Sequence, residues 1–230
     1  MKINELPGVT LDTDFVDYYD EHLPSSWRSE IFPRFSGNQW RRSDIFAKLR
    51  EMRLPTPLHG LVSGFPLKYD LVVVYLDEKG HHGKGKQLMP LNVARTEHPS
   101  ALASLYVGDI ERWQWPGPIS MREVRIGRRR WLLRYKSDHP WASNCGNVEI
   151  EFIRELPSMN DMPIPFPIYA LDFVEKGVDH YSYYGRRTPQ IHYFDITFSP
   201  KLQGTPLEQK LRPKDAAALI QESLCRISQL

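Results

Sequence analysis

Two aspartates stand in runs where an aspartate is out of place. Asp172 interrupts Tyr169-Ala170-Leu171-Asp172-Phe173-Val174, and Asp195 interrupts Tyr193-Phe194-Asp195-Ile196-Thr197-Phe198. Both runs read as strands, and a carboxylate fits poorly on a pleated, half-buried surface. Strand alternation predicts that Ile191, Tyr193, Asp195 and Thr197 share one face. A carboxylate and a hydroxyl two residues apart make an oxygen-rich edge, which Asp172 completes if the two strands are neighbours. Two carboxylates that close repel each other unless a cation lies between them. Magnesium is held in this way, by one or two carboxylates plus substrate phosphates. The plain alternative is that each aspartate faces water from a sheet exposed on one side.

Two basic features offer charge for phosphate. Gly80-His81-His82-Gly83-Lys84-Gly85-Lys86 has three glycines that let a backbone approach a ligand, with Lys84 and Lys86 as cations. It lacks the Gly-Lys-Ser/Thr ending of a phosphate-binding P-loop, and a solvated hairpin tip is the competing reading. No third ligand is spaced to join His81 and His82 at a metal. Arginine is dense from Arg122 through Arg125, Arg128, Arg129 and Arg130 to Arg134. Arg134 lies inside Trp131-Leu132-Leu133-Arg134-Tyr135, where a half-buried guanidinium needs a partner such as phosphate or carboxylate. The Arg128 to Arg130 run reads as a solvated turn or as a patch for an anionic partner.

The elements that must position these residues follow from periodicity. Ser43 is the expected cap of a helix with Ile45, Phe46, Leu49 and Met52 on one face, stopped by Pro55 and Pro57. Leu71-Val72-Val73-Val74-Tyr75-Leu76 predicts a buried strand. Glu123 to Ile126 and Trp131 to Tyr135 flank a hairpin turn at Gly127-Arg128-Arg129. Val148, Ile150 and Phe152 alternate with polar residues, as a half-buried strand does. The proline-rich stretch from Leu156 to Pro167 reads as a loop. Strands are expected over 168–174 and 191–198, with the polar and aromatic stretch 179–187 between them. A closing helix opens at Pro213, with Ala216, Leu219, Ile220, Leu224 and Ile227 as its apolar face.

Composition narrows the class. The 230 residues are 41% hydrophobic and 25% charged, enough for a core and an ordinary surface. Thirty basic against 28 acidic residues leave +2, too balanced for a whole-chain argument about nucleic acid or membranes. Cys145 and Cys225 give neither a disulfide framework nor a zinc knuckle. Met1-Lys2-Ile3-Asn4-Glu5 has no apolar signal core, and no run approaches the length of a membrane span. A cytoplasmic protein without membrane partners is the expectation.

Taken in order, these segments resemble the ATP-grasp family. The part that resembles it most specifically is Tyr169-Ala170-Leu171-Asp172-Phe173 followed by Asp195-Ile196-Thr197-Phe198-Ser199-Pro200, Gly204 and the Pro213 helix. The family has there a metal-binding aspartate, a Glu-Ile-Asn strand and a closing helix. Trp40 to Pro57 resembles the helix and Pro-x-Pro turn that enter the nucleotide lobe, and Leu71 to Lys86 its next strand and phosphate loop. Arg122 to Gly127 resembles the strand after the adenine hinge, and Ser143-Asn144-Cys145-Gly146 stands at the place of the family's Thr-Asn loop. Tyr75 stands where the family usually has a lysine, and Thr197 where it has a metal-binding asparagine.

The resemblance implies an α+β fold of antiparallel sheets flanked by helices, with a nucleotide site between two small lobes. Residues 1–39 would be an arm or reduced lobe, 40–107 a small nucleotide-binding lobe, and 108–230 a larger lobe with the metal site. ATP would contact Gly83, Lys84, Gly85, Lys86, Tyr106 and Val107. Magnesium would lie on Asp172, Asp195 and Thr197, and Arg134 and Arg122 would act on the transferring phosphoryl or the acceptor carboxylate. The implied reaction joins a small-molecule or peptide carboxylate to an amine through an acyl phosphate. Two rivals stay open: a relative that binds nucleotide or a partner protein without ligation, and a nucleic-acid enzyme or binder. For the last, the 181–187 stretch supplies aromatic and basic residues.

Overall fold

β-Branched and aromatic runs assemble two separate antiparallel sheets, and helices cover them. The computed structural model describes residues 24–28, 41–79, 85–107, 119–159, 168–176, 190–197, 200 and 202–227. The expected basic loop at 80–84, the 181–187 stretch and most of 1–39 lie outside the described residues. In chain order come α1 (Ser25–Arg28), α2 (Arg42–Glu51), β1 (His59–Leu61), a 3-10 turn (Val62–Gly64), β2 (Leu71–Tyr75) and β3 (Lys86–Pro90). Then follow α3 (Leu91–Glu97), β4 (Leu102–Leu105), β5 (Ile119–Ile126), β6 (Arg129–Ser137) and β7 (Val148–Leu156). Finally come β8 (Ile168–Lys176), β9 (Gln190–Thr197), α4 (Pro206–Lys210) and α5 (Pro213–Ile227). The small sheet runs β1-β4-β2-β3 and the large one β7-β6-β5-β8-β9. The chain is thus α+β with two antiparallel sheets, as expected. No helix among the described residues is long and apolar enough to cross a membrane.

β2 explains why Leu71 to Tyr75 reads as a continuous apolar run. Val72 and Val74 pack with Met89, Leu91 and Ala94 in the core of the small sheet. Val73 and Tyr75, pointing the other way, join the main core with Ile45, Phe46 and Leu49 of α2 and Val124, Leu133 and Tyr135 of the large sheet. Both faces of the strand are buried, so no polar alternation survives in it.

Helix α2 starts two residues earlier than its sequence suggests. Arg41, not Ser43, is the N-cap, and its backbone N–H donates to the Asp44 carboxylate at 3.1 Å. Ser43 lies within the first turn, where its backbone N–H (3.0 Å) and its hydroxyl (2.6 Å) both donate to Glu78. A capping serine therefore gives way to an acid supplied from beyond the end of β2. Strands β1, β3 and β4 and helices α3 and α4, short and weakly periodic, had no clear sequence signature.

The β5–β6 hairpin turns at Gly127, whose φ of 58° lies in the left-handed region. A Cβ there would stand 2.7 Å from the Ser223 hydroxyl and 2.8 Å from the Leu219 carbonyl oxygen of α5. Gly127→Ala is therefore expected to lose about 1–2 kcal/mol from backbone conformation alone, and more where α5 is displaced. The shift of the urea midpoint in a denaturation curve measures it.

Candidate functional site

The two sequence-singled aspartates meet. β8 and β9 pair antiparallel with Asp172 directly opposite Asp195, and Ala170 opposite Thr197. The register then slips: Phe173 faces Tyr193, so Phe194 is an extra residue that bulges from β9. Asp195 and Thr197 consequently share a face with Asp172, whereas Tyr193 turns to the other side with Phe173. The expectation that Tyr193 and Asp195 lie on one face assumed unbroken alternation, and the bulge corrects it.

Each carboxylate is held by an arginine. Arg122 lies opposite Asp172 on β5 and donates from Nε (2.6 Å) and Nη2 (2.7 Å) to its two oxygens. The Arg122 guanidinium also stacks 4.6 Å from the centre of the Tyr135 ring. Burial works against the charge of Arg122, but Asp172 dominates and raises its pKa. Asp195 receives Arg42 from the first turn of α2, with Nη1 at 2.9 Å from Oδ1 and Nη2 at 3.1 Å from Oδ2. Nη1 also donates to the carbonyl of the bulged Phe194 at 2.9 Å. Burial would raise the Asp195 pKa, but Arg42, Lys86 and Arg122 outweigh it and hold the carboxyl below its ordinary value.

Lys86 faces Tyr75 across the β2–β3 ladder, on the side turned to the large sheet. Burial, and after it Arg42, push the pKa of the Lys86 ammonium down to about 8, while Asp195 and Asp172 pull the other way. A lysine opposite position 75 thus places a cation where Tyr75 itself offers none. The Tyr75 ring lies 5.2 Å beneath the Arg42 guanidinium, and its hydroxyl shares a 2.9 Å hydrogen bond with Ser104. Gly85, with φ 67°, anchors the start of β3 by accepting from the Leu76 (2.7 Å) and Asp77 (3.2 Å) N–H groups. Gly83 and Lys84 lie outside the described residues. Tyr106, just past β4, is half-buried and donates its hydroxyl to the Trp141 carbonyl at 3.2 Å, and Val107 follows it. An open cleft of about 570 Å3 has Tyr75, Asp77, Glu78 and Lys79 in its wall, but neither aspartate, Lys86 nor Tyr106 lines it.

Arg134 belongs elsewhere. Leu133 pairs with Arg122 and Arg134 with Met121, so Arg134 projects from the opposite face of the large sheet. There its Nε donates to Glu151 at 2.7 Å, beside Lys136. The two arginines expected to act together are separated by the sheet. The other arginines of the dense stretch are also matched with acids: Arg125 and Arg130 with Glu123, Arg129 with Glu155, and Arg128 with Glu222.

Sequence reasoning missed Arg42. Its signal was present, because Arg42, Ile45, Phe46 and Leu49 follow the i, i+3, i+4, i+7 pattern of one helix face. An arginine continuing an apolar face needs a buried partner, and only the paired sheet supplies it. Among the described residues no group of three or more His, Cys, Asp or Glu is placed to hold a metal ion. The assembled cluster contains three cations, Arg42, Lys86 and Arg122, against two carboxylates, Asp172 and Asp195. One positive charge is thus in excess among these five groups. A scan against protein-family models and a search of curated proteins found no match to this chain.

Proposed function

We propose that this chain is an ATP- and magnesium-dependent ligase of the ATP-grasp type, joining a carboxylate to an amine through an acyl phosphate. The observation that carries this reading is Asp172 and Asp195 face to face on paired strands, ringed by Arg42, Lys86 and Arg122 where the small sheet meets the large one. Such a cluster suits phosphoryl transfer, in which the protein contributes positioning and charge neutralisation. Arg122, Arg42 and Lys86 would bind phosphate oxygens, forked guanidinium donors being well matched to them. The donor set fits magnesium in type, since two carboxylates and the Thr197 hydroxyl are the oxygens it takes. Magnesium at Asp172 and Asp195 would neutralise phosphate charge as the transfer proceeds. Arg134, on the far face, has no part in this reading.

The decisive measurement is calorimetric titration of a non-hydrolysable ATP analogue, with and without magnesium. Wild type is expected to bind with magnesium, and Asp195→Asn to lose on the order of tenfold or more in affinity, about 1.4 kcal/mol. The asparagine still offers Arg42 an oxygen, so circular dichroism should report an intact fold. No binding to folded wild type would sink the nucleotide reading.

Tyr75 and Thr197 support a second reading, a nucleotide binder that ligates nothing. It predicts the same binding with no ADP release for any acid and amine tried. The pairing of every arginine between Arg122 and Arg134 with a carboxylate argues against a nucleic-acid surface there. Steep salt dependence of oligonucleotide binding would restore that option.

A further inference from the structure

We propose that Arg42 and Lys86 form an oxyanion seat that takes a polyphosphate chain without magnesium, and that this seat must fill before a divalent cation can reach Asp172 and Asp195. The inference rests on the phosphate-binding reading of this site and adds to it independence of metal and an order of events.

Three observations carry it. Both carboxylates have both oxygens engaged by guanidinium: Asp172 by Arg122 at 2.6 and 2.7 Å, and Asp195 by Arg42 at 2.9 and 3.1 Å. A divalent cation arriving alone would have to displace two arginines and would meet their charge at close range. Second, the three cations exceed the two carboxylates, so the cluster lacks an anion rather than a cation. Third, Arg42 is 4% exposed, and its Nε has no hydrogen-bond partner among the described residues. A buried donor left unpaired is costly, and an incoming phosphate oxygen would satisfy it.

The exchange is non-covalent. Phosphate oxygens replace the carboxylates as partners of the guanidinium groups, and the aspartates are released to a metal. Arg42 also links the two sheets. It sits on α2, whose backbone is joined to the end of β2 through the Arg42 N–H to Glu78 carbonyl bond of 3.0 Å, and it ends on β9. Filling the seat therefore loosens one tie between α2 and β9 as it frees Asp195.

The test uses inorganic tripolyphosphate in EDTA and manganese alone, on the full chain. Tripolyphosphate is expected to bind wild type in EDTA by calorimetry, and Arg42→Met to weaken it by about tenfold or more. Manganese alone at millimolar concentration should leave the melting temperature of wild type unchanged. It should raise that of Arg42→Met, whose Asp195 is no longer held by a guanidinium. If Arg42→Met fails to fold, Arg42→Lys replaces it, keeping the charge without the fork, and is still expected to bind tripolyphosphate more weakly than wild type. A manganese-induced rise in the wild-type melting temperature, a requirement of metal for tripolyphosphate binding, or full binding by a folded Arg42 variant would each overturn the proposal. Tripolyphosphate binding without binding of the ATP analogue would keep this seat and sink the nucleotide reading. Magnesium-dependent analogue binding indifferent to Arg42 would do the reverse.

Discussion

Replacing Asp172 by asparagine is expected to cost about 3–5 kcal/mol of stability, the usual penalty for removing one partner of a buried ion pair. Asp172 is 3% exposed, and both of its oxygens are matched to Arg122. An asparagine can accept at one position only, and its amide N–H2 would face the guanidinium it replaces a bond to. Arg122 would then keep its charge in the core with, among the described residues, the Tyr135 hydroxyl at 3.4 Å as its further side-chain hydrogen-bond partner. Removing both charges at once, as Asp172→Leu/Arg122→Met, should recover most of the loss, since apolar replacements of buried pairs are often neutral or stabilising. Urea denaturation followed by circular dichroism reads both variants. An asparagine variant within about 0.5 kcal/mol of wild type, the range of ordinary surface substitutions, would show that the pair does not support the fold. Asp195, half-buried and nearer the edge of the sheet, should tolerate the same change better, which separates a structural acid from a ligand-facing one.

Glu123→Gln is expected to have a comparable effect from the other face of the same sheet. Glu123 Oε1 accepts from Arg125 Nε at 2.6 Å and from Arg130 Nε at 2.8 Å, while Oε2 accepts from Arg130 Nη2 at 2.9 Å. One carboxylate thus separates two guanidiniums, and a neutral amide would leave them facing each other, at a cost of about 3–5 kcal/mol. Burial opposes the charge of Glu123, but Arg130 and Arg125 overcome it and hold the carboxyl below its ordinary value. A depressed carboxyl stabilises the fold fully above the unfolded glutamate value of about 4.3, and that contribution is lost as the pH falls through the folded one. The gap between wild type and variant should therefore be widest near neutrality and close in acid. Urea midpoints measured across that range check it, and a gap that persists unchanged into strong acid would contradict the assigned ionisation.

The long elements were legible because each buries a whole face. The β5–β6 hairpin, the alternating β7 and the apolar stripe of α5 carry their periods in the sequence, and the structure has all three. The two strand aspartates were legible as misfits, and they are indeed paired. What escaped notice depends on register and on distant partners. The extra residue at Phe194 cannot be read from a run that alternates acceptably with or without it. Arg134 and Arg122 look equivalent along the chain, and only the pairing of Leu133 with Arg122 assigns them to opposite faces. Arg42 was hidden by its neighbours: beside Arg41 and Ser43 at a helix start, it resembles a solvated terminus until β9 provides Asp195. Glu78, too, declares itself only in three dimensions, as the acceptor that displaces Ser43 from its expected capping role.

The bulge at Phe194 also has a consequence for how this chain can vary. What position 194 gives Arg42 is a main-chain carbonyl, which every amino acid possesses, so its side chain is free of that duty. What it contributes to β9 is a count, one residue more than the facing strand spends. Deleting it would let the two strands pair without interruption, with Asp172 still opposite Asp195 and Phe173 still opposite Tyr193. Yet the carbonyl that accepts from Arg42 Nη1 would go with it, leaving that guanidinium only its hydrogen bonds to Asp195 among the described residues. Along this stretch, sequence can drift by substitution, but losing the extra residue would leave the two acids facing each other and take a main-chain acceptor from the arginine that holds one of them.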